Sequence, residues 1–544
     1  MWFSFFFQRL RPVISAPMKP IHLQPLGLGL ALLAAGMITN AQAQTTDLWA
    51  LARKEAGTHR FSTLFTAQDV RRHLSTEEGL NQAMDWCKQT AVTKVYIESY
   101  RDGYTAEKAA LENARDKFKA AGFVVSGCVT PTKVGKPSTG WKDTISCYTD
   151  PATQAKVKDI FTYAAGMFDE IMIDDFWFTD CACPECESAR KARIVTVGDQ
   201  KFPVPGESWE DYRCELMVQL SRSHVLAASR QVNPKVKIII KYPQWYENFH
   251  QRGYEVRRET ADFDRIWVGT ETRDYNDQRW GGTVQYESYF IMRWLDGIGG
   301  DKCGGGWYDW LGTTEKTYLE QARMTILGGA RESMLFCYGG LQSTTGPKNV
   351  EALRLQIPRL LATAREVAKR QPIGLAAYRP INSDPGKEPR VYDFVGMMGL
   401  PLVPCHEFPT NAQAAFFPVH CLKDKDFPAK LAAFIAAGKP VLITDGLKTR
   451  LEGQVKLDAP NVTVLDVKGD PKSLLTLSQE ALDQLRAPLL RPFNSGFKAR
   501  NKVALQLYKD GSWVISNFND DVAPVELNGN RYQVADRGWL DAWK

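Results

Sequence analysis

The chain has 544 residues, of which 44% are hydrophobic and 24% charged, and its formal net charge at pH 7 is +6. This length allows two to four domains, and the composition is that of an ordinary globular protein. The charge is small for the length and the basic residues form no runs, so no nucleic-acid ligand is predicted. The 15 Trp residues either fill cores or offer faces for sugar rings.

The N-terminus has the pattern of a secretory signal peptide. The apolar run LGLGLALLAAGMI at 26–38 is too short to cross a bilayer comfortably, and AQA at 41–43 supplies the small residues of a cleavage site. Cleavage is expected before Gln44, so residues 1–43 are the signal peptide, with Met18 as an alternative start. No later stretch is apolar enough for a membrane span. The sequence therefore predicts a periplasmic or secreted protein.

Short apolar runs alternate with amphipathic segments over residues 44–370. Eight runs resemble strands: RFSTLFT (60–66), KVYIES (94–99), FVVSGCV (123–129), EIMIDD (170–175), VKIIIKY (236–242), RIWVGT (265–270), GGWYDW (305–310) and ESMLFCY (332–338). Helical patterns lie near 76–90, 105–122, 151–167, 208–231, 315–328 and 347–369; Thr105 and Gly122 are expected to cap the second. This alternation predicts a (β/α)8 barrel, with a doubly wound open sheet as the alternative.

Two smaller domains are predicted after the barrel. Strand-like runs at 374–380, 400–404, 414–419, 439–447 and 462–467, with a helix at 426–438, indicate a Rossmann-like α/β domain over 371–490. None of these strands is followed by the G-x-G-x-x-G motif of a dinucleotide site. A hairpin pattern at 502–519 and strand-like runs at 523–528 and 531–536 then predict a small β-sandwich over 491–544.

The stretch FDEIMIDDFWFTDCACPEC, residues 168–186, ends the fourth predicted strand with two acids. Catalytic groups of such barrels lie at the carboxyl ends of the strands. Successive strand residues point to opposite faces, so Asp174 and Asp175 cannot both point at the barrel axis. One is expected to be catalytic or to bind substrate, and the other to hold a neighbouring loop.

The other strand ends repeat this combination of acids, cations and aromatic rings. Glu271 and Asp309 are further candidate catalytic acids. The predicted substrate-binding residues are Glu98, Arg101, Trp177, Lys241, Trp245, Tyr246, Arg273, Trp307 and Trp310. Cleavage of a glycosidic bond uses such a set, because one carboxylic acid protonates the leaving oxygen while a carboxylate attacks the anomeric carbon or activates water.

Three cysteines follow the acids with the spacing C-x-C-x-x-C. Cys181, Cys183 and Cys186 need a fourth ligand for a tetrahedral zinc site, and Cys147 is the preferred candidate over Cys128 and Cys214. Four thiolates leave no open coordination position, so the zinc would be structural. The chain contains no His pattern typical of a catalytic metal, and no catalytic cofactor is predicted.

The cysteine loop after the fourth strand, the Cys-x-x-x-Pro at 147–151 and the domain order resemble glycoside hydrolase family 42 β-galactosidases, and a looser group of glycosyl-hydrolase-like bacterial barrels. The resemblance implies that the cysteines hold a structural zinc and that the α/β domain forms a homo-oligomer, a trimer by analogy. Family 42 ends its fourth strand in Asp-Asn-Glu, where this chain has Asp174-Asp175-Phe176. The family's acid/base Glu is therefore absent, and we expect Asp175 to act with Glu271 or, alternatively, with Asp309.

The sequence thus predicts an exported glycoside hydrolase that cleaves an oligo- or polysaccharide with a pair of carboxylates. The missing Glu motivates one alternative, a non-catalytic carbohydrate-binding or scaffold protein on a glycosidase-like barrel.

Overall fold

The computed structural model of the protein describes residues 47–272 and 284–544. Eight parallel strands between residues 60 and 336 form one sheet. They are β1 (Arg60–Phe65), β2 (Val92–Arg101), β3 (Val124–Val129), β4 (Glu170–Ile173), β5 (Lys237–Tyr242), β6 (Arg265–Gly269), β7 (Cys303–Asp309) and β8 (Glu332–Phe336). All are parallel to their neighbours, and β1 pairs with both β2 and β8. The sheet is therefore closed, which confirms the (β/α)8 barrel and excludes the open sheet.

Helices connect the barrel strands. They are Leu48–Glu55, Ala67–His73, Glu77–Gln89, Lys108–Ala120, Pro151–Ala165, Pro184–Ala192, Trp209–Leu220, Ala228–Val232, Val256–Asp262, Glu287–Gly299, Glu315–Leu327, Tyr338–Leu341 and Gly346–Ala368, with a π-helical segment at Ser221–Ala227 and 3-10 turns at Tyr246–Asn248, His250–Arg252 and Gly300–Lys302. The Thr66 hydroxyl and the Asp69 carboxylate form a reciprocal capping box after β1. Thr105 does not cap the next long helix as predicted, because it pairs with Tyr100 in a short strand at Tyr104–Thr105.

The barrel interior is filled with side chains. Its inner layer contains Leu64, Tyr96, Cys128, Met172, Ile239, Trp267, Trp307 and Met334. The glycines of β7 make this packing possible, since a Cβ on Gly305 would lie 2.3 Å from the Glu332 carbonyl oxygen of β8. Near the amino end of the barrel, Lys94 is buried and donates to Glu170 at 2.7 Å. The packed side chains and the Lys94–Glu170 ion pair close the amino end of the barrel, so the carboxyl end is the one available for chemistry.

The α/β domain contains a five-stranded parallel sheet, made of β9 (Leu375–Tyr378), β10 (Leu402–Cys405), β11 (Ala415–Phe417), β12 (Val441–Thr444) and β13 (Val462–Leu465). Their spatial order is β10-β9-β11-β12-β13, a doubly wound arrangement. Helices are Val391–Met397, Phe427–Ala436, Asp445–Arg450 and Gln479–Leu490, with 3-10 turns at Val419–Lys423, Pro471–Thr476 and Arg491–Phe493. This architecture is the predicted one.

Two antiparallel sheets form the C-terminal sandwich. One contains Pro372–Ile373, Val503–Tyr508, Trp513–Asn517 and Trp539–Ala542, and the other contains Phe497–Ala499, Ala523–Leu527 and Asn530–Val534. Side chains from both sheets share one core. The two residues Pro372–Ile373 pair with Leu507 and Tyr508, so the start of the predicted α/β segment contributes an edge strand to the last domain. The exact domain limits 44–370, 371–490 and 491–544 stay predictions.

Within the described residues, no helix combines the length and the apolarity that crossing a membrane requires. The predicted signal peptide lies outside those residues.

Candidate active site

The carboxyl ends of β2, β4 and β5 meet in a buried network of charges around Asp174, which is 1% exposed. The Lys241 ammonium donates to Asp174 Oδ1, and Arg101 Nη2 donates to Oδ2 at 2.5 Å. Burial alone would raise the pKa of Asp174, but the charges of Lys241 and Arg101, with their hydrogen bonds, hold it well below its usual value. Asp174 is therefore ionised, and protein donors engage both of its oxygens.

Glu98 supports this network from β2. Its carboxylate is fully buried and accepts hydrogen bonds from the Ala67 backbone N–H and from Arg101 Nε, both at 2.8 Å. The Thr130 hydroxyl, one residue after β3, lies within hydrogen-bond distance of Glu98 and 3.0 Å from Asp174 Oδ2. Burial raises the pKa of Glu98, with Arg101 opposing it. Glu98 thus positions Arg101, which corrects the prediction that Glu98 contacts substrate.

Asp175 has a different environment from its neighbour. It is partly exposed, and the Tyr254 hydroxyl fixes its backbone by donating to its carbonyl oxygen at 2.6 Å. Burial and then the charge of Asp174 raise the pKa of Asp175 to about 7, although Lys241 and Arg101 oppose the shift. Asp175 can therefore hold a proton at neutral pH, next to a carboxylate that cannot.

Adjacent acids with opposite pKa shifts are what acid catalysis at neutral pH requires. Both residues follow the last residue of β4, Ile173, and their carboxyl groups lie close enough for a hydrogen bond with Asp174 to contribute to the raised pKa of Asp175. The division of roles between the two acids stays a prediction. Asp174 is the one that holds neighbouring elements, since it joins β2, β4 and β5. Asp175 is the more exposed of the two acids.

Glu271 and Asp309 occupy the same rim of the barrel, after β6 and at the end of β7. They are 5% and 6% exposed, and Asp309 Oδ1 accepts the Leu311 backbone N–H at 3.0 Å. The absence of a side chain at Gly269 lets the end of β6 approach the segment after β5, because a Cβ at that position would lie 2.6 Å from the Gln244 backbone nitrogen and 3.0 Å from Glu271 Oε2. Both acids belong to the rim that carries Asp175, and their pairing with it stays a prediction.

Cations and aromatic rings line the floor below these acids. Lys241 Nζ lies 3.7 Å from the centre of the Trp307 ring, and the Arg101 guanidinium carbon lies 5.7 Å from the Phe336 ring. Trp307 is 3% exposed and belongs to the inner layer of the barrel. Three predicted binding residues, Arg101, Lys241 and Trp307, are thus brought together, and each cation lies over an aromatic ring. Lys241 and Trp307 are buried, and their contact with a substrate stays a prediction.

Two predicted binding residues lie elsewhere. Trp177 is fully buried between Tyr148 and Phe161, and its indole N–H donates to Ser221 Oγ at 2.9 Å, so no face is open to a sugar. The Tyr246 hydroxyl donates to Asp393 of the α/β domain at 3.1 Å. Both rings pack between elements of the fold, which corrects their assignment as binding residues.

The remaining predicted binding residues differ in position. Trp245 and Trp310 are partly exposed. Trp310 packs against Gly340, where a Cβ would lie 1.9 Å from the indole nitrogen, so only glycine fits beside this ring. Arg273 lies outside the described residues.

A second cluster of side chains is formed by cysteines, three of which follow the acids in the chain. The sulfur atoms of Cys147, Cys181, Cys183 and Cys186 lie within 4.8 Å of one another, and all four residues are buried. Three of the S–S distances are 3.5, 3.6 and 3.7 Å. A tetrahedral ion with metal–sulfur bonds of about 2.3 Å requires S–S distances of about 3.8 Å, so the four thiols fit a metal ion.

The two other candidate ligands lie outside this cluster. Cys128 lies in the barrel interior, and the Cys214 thiol donates to the His250 carbonyl oxygen at 3.5 Å. Neither belongs to the four-cysteine group, in which Cys147 is the fourth member.

Several residues of the site were missed in the sequence. Thr130 directly follows a strand, and that position could have identified it. Trp141, Arg252 and Tyr254 lie in the connections after β3 and β5, which show no recognisable sequence pattern. They could be identified only from the structure, in which the connections after β3 and β5 lie next to each other.

These features define a glycosidase-type barrel. Residues 44–354 match the family described as "Probable glycosyl hydrolase, catalytic domain", and the chain belongs to this family.

One relative is the protein named "Uncharacterized protein SSO3021" from Saccharolobus solfataricus, which is 28% identical over 353 residues. The alignment covers 60% of this chain and 57% of the relative, so the chain spans little more than half of that protein's length.

Solved structures share the architecture. Gan42B, a GH42 β-galactosidase, is 10% identical with a TM-score of 0.58, and the alignment covers 89% of this chain and 98% of that one. The α-L-fucosidase isoenzyme 2 of Paenibacillus thiaminolyticus is 11% identical with a TM-score of 0.51, over 71% of this chain and 64% of its own. At these identities the similarity concerns the fold, and the first match extends through the domains after the barrel.

Proposed function

We propose that the protein is an exported glycoside hydrolase in which Asp175 is the general acid. The family membership supports the reaction class. The observation that carries the assignment is the contrast between two neighbouring acids, since Asp174 is ionised and engaged while the pKa of Asp175 is raised to about 7.

In the proposed reaction, Asp175 donates its proton to the glycosidic oxygen as the bond to the anomeric carbon breaks. Glu271, or else Asp309, is the carboxylate that attacks the anomeric carbon or takes a proton from the attacking water. Lys241 and Arg101 keep Asp174 charged, and that charge keeps the proton on Asp175 until the leaving oxygen accepts it.

The first experiment is hydrolysis of a panel of aryl glycosides and oligosaccharides, with the anomer of the first product read by NMR. Retention indicates a nucleophilic carboxylate about 5–5.5 Å from Asp175, and inversion indicates a water-activating one at about 6.5–9.5 Å. Glu271→Gln and Asp309→Asn, compared on the best substrate, identify the partner. Binding of oligosaccharides without turnover would instead support the non-catalytic alternative.

We expect the four cysteines to bind one structural zinc. Purified protein should contain about one zinc per chain, and Cys181→Ser should lose it and unfold at a lower temperature, because structural zinc sites contribute on the order of 10 kcal/mol of binding energy to folding. Cobalt replacement should give a thiolate charge-transfer band. Cys214→Ser, a buried cysteine outside the group, is the control that should keep the metal. A metal-free protein, or Cys181→Ser with full zinc content, would contradict the site.

We further propose self-association through the α/β domain at 374–470, by analogy with the family-42 trimerisation domain. Sedimentation at micromolar concentration should give the mass of a trimer or another oligomer. A monomer would count against it.

Export is proposed from the signal-peptide pattern at 1–43. The family match begins at residue 44, where the mature chain is expected to start. Sequencing the N-terminus of protein recovered from the periplasm or medium should give Gln44 first, and retention of the uncleaved segment in the cytoplasm would contradict export.

A further inference from the structure

Packed aromatic rings lead from the mouth of the barrel to an exposed indole along the loops after β3, β4 and β5; Phe178 and Tyr254 are buried, Trp245 is partly exposed and Trp141 is exposed. We call the set Trp141, Phe178, Trp245, Arg252 and Tyr254 the tryptophan platform. The Arg252 guanidinium carbon lies 4.6 Å from the Trp141 ring, 4.8 Å from the Trp245 ring and 5.2 Å from the Phe178 ring. The Arg252 guanidinium thus contacts three rings of the platform, including both indoles.

Trp141 is the exposed member of the platform. Its surface is 45% accessible, and it is the one aromatic ring among the strongly exposed large hydrophobic side chains of residues 47–272 and 284–544. A ring left in water forgoes the free energy of burial, about 25 cal/mol for each Å² of apolar surface. Isolated exposed apolar side chains are common, so exposure alone does not define a site.

The backbone that carries Trp141 is held firmly. The Trp141 N–H donates to Asp180 Oδ2, and the Ser138 hydroxyl donates to Asp180 Oδ1, both at 2.7 Å. The Ile145 N–H donates to the Trp141 carbonyl oxygen at 2.7 Å. Asp180 precedes Cys181, and this loop ends at Cys147, so the cysteine cluster anchors both sides of it. A preorganised ring binds a ligand with little further loss of conformational entropy.

The platform is continuous with the proposed catalytic acid. Tyr254 donates to the Asp175 carbonyl oxygen and packs 5.7 Å from the Trp245 ring, centre to centre. Phe178 then lies 5.2 Å from Trp245 and 5.4 Å from Trp141. The exposed indole is therefore three ring contacts away from the acid, on the side of the barrel formed by β3 to β5.

We propose that the tryptophan platform is a sugar-binding subsite in which Trp141 stacks on a unit of the substrate chain beyond the two units joined by the bond that is cleaved. The apolar C–H face of a pyranose ring can stack on an indole, and the contact with Arg252 fixes the orientation of the Trp141 indole. The proposal rests on the proposed function and specifies it: the substrate is a chain of three or more sugar units, not a single sugar on a small leaving group.

The test measures binding in the Asp175→Asn background, so that no substrate is consumed. Cello-, manno-, xylo- and β-1,4-galacto-oligosaccharides of two to six units are titrated by calorimetry. Adding Trp141→Ala should weaken binding of the longer members of the bound series about tenfold, equivalent to about 1.4 kcal/mol, and leave the disaccharide unchanged. Trp141→Phe should recover part of the loss. Leu355→Ala, at a side chain 78% exposed on helix Gly346–Ala368, is the control that should bind like the parent.

Each outcome decides the proposal separately from the hydrolase activity. Equal affinity of parent and Trp141→Ala at every length, equal loss for disaccharides and hexasaccharides, or no binding of any oligosaccharide would overturn the subsite. If length-dependent binding needs Trp141 but the wild type cleaves none of the series, the subsite stands and the proposed catalysis fails. If the wild type cleaves the series but binding does not depend on chain length, the proposed catalysis stands and the subsite fails.

Discussion

Asp175→Asn should lower kcat by about 10²–10⁴-fold on any substrate that the protein cleaves, the contribution that a positioned general acid typically makes. The amide has nearly the same shape as the carboxyl group but has no acidic proton to give to the leaving oxygen. The loss should be smaller for aryl glycosides with acidic phenol leaving groups, because such groups depart without protonation. Steady-state kinetics on two aryl glycosides of different leaving-group pKa would measure both effects.

Asp175→Asn should not lower the stability of the folded protein. A carboxyl group whose pKa is higher in the folded than in the unfolded chain stabilises the fold while it is protonated. That contribution is fully present below pH of about 4 and is lost as the pH rises through about 7. Asn cannot ionise, so Asp175→Asn should be at least as stable as the wild type above pH 7. Full activity, or parallel losses of activity and stability, would show that Asp175 is structural.

The pH profile gives an independent test of the raised pKa. Since Asp175 must be protonated to donate, kcat/KM should fall as the pH rises above about 7. A profile that stays flat to pH 9 would contradict the assignment. The Asp175→Asn variant should lose this alkaline limb, and its residual activity should follow the ionisation of the partner carboxylate alone.

The fold was largely predictable from the sequence because parallel barrel strands are buried on both sides. Such strands appear as continuous apolar runs, so EIMIDD and VKIIIKY could be placed to within two residues. Elements without that signal were missed, such as the hairpin of Ile194–Val197 and Gln200–Pro203, most of whose residues are exposed. The strand Pro372–Ile373 was missed because its partners lie more than 130 residues later in the chain.

The sequence could place the candidate residues at the ends of strands, but it could not give the directions of their side chains. Strand ends identified Asp174, Asp175, Arg101 and Lys241, because the barrel brings those ends together. The sequence could not tell that Trp177 points into the core, since loop residues have no fixed alternation. It also could not distinguish the environments of the two acids, which differ because Lys241 and Arg101 donate hydrogen bonds to Asp174.

That unequal pairing leads to the second large expected effect. Asp174→Asn should destabilise the protein by about 3 kcal/mol, because removing one partner of a buried ion pair leaves an uncompensated charge and typically costs roughly 3–5 kcal/mol. The lower end of this range is expected because Arg101 retains its ion pair with Glu98 and because Lys241 can pair with Asp175 instead. The midpoint of thermal unfolding compared with that of Asp175→Asn measures the difference. Asp301→Asn, which breaks the exposed 3.1 Å pair with Arg331, is the control and should change stability by no more than about 1 kcal/mol.

The same variant should also change the chemistry of its neighbour. The negative charge of Asp174 is one cause of the raised pKa of Asp175, and Lys241 opposes it. Without that charge, and with Lys241 released, the pKa of Asp175 should fall, so the alkaline limb of kcat/KM should move to lower pH. An unchanged limb in Asp174→Asn would show that the titrating group is not Asp175. Unchanged stability together with an unchanged limb would show that Asp174 neither holds the two cations nor sets the proton on its neighbour.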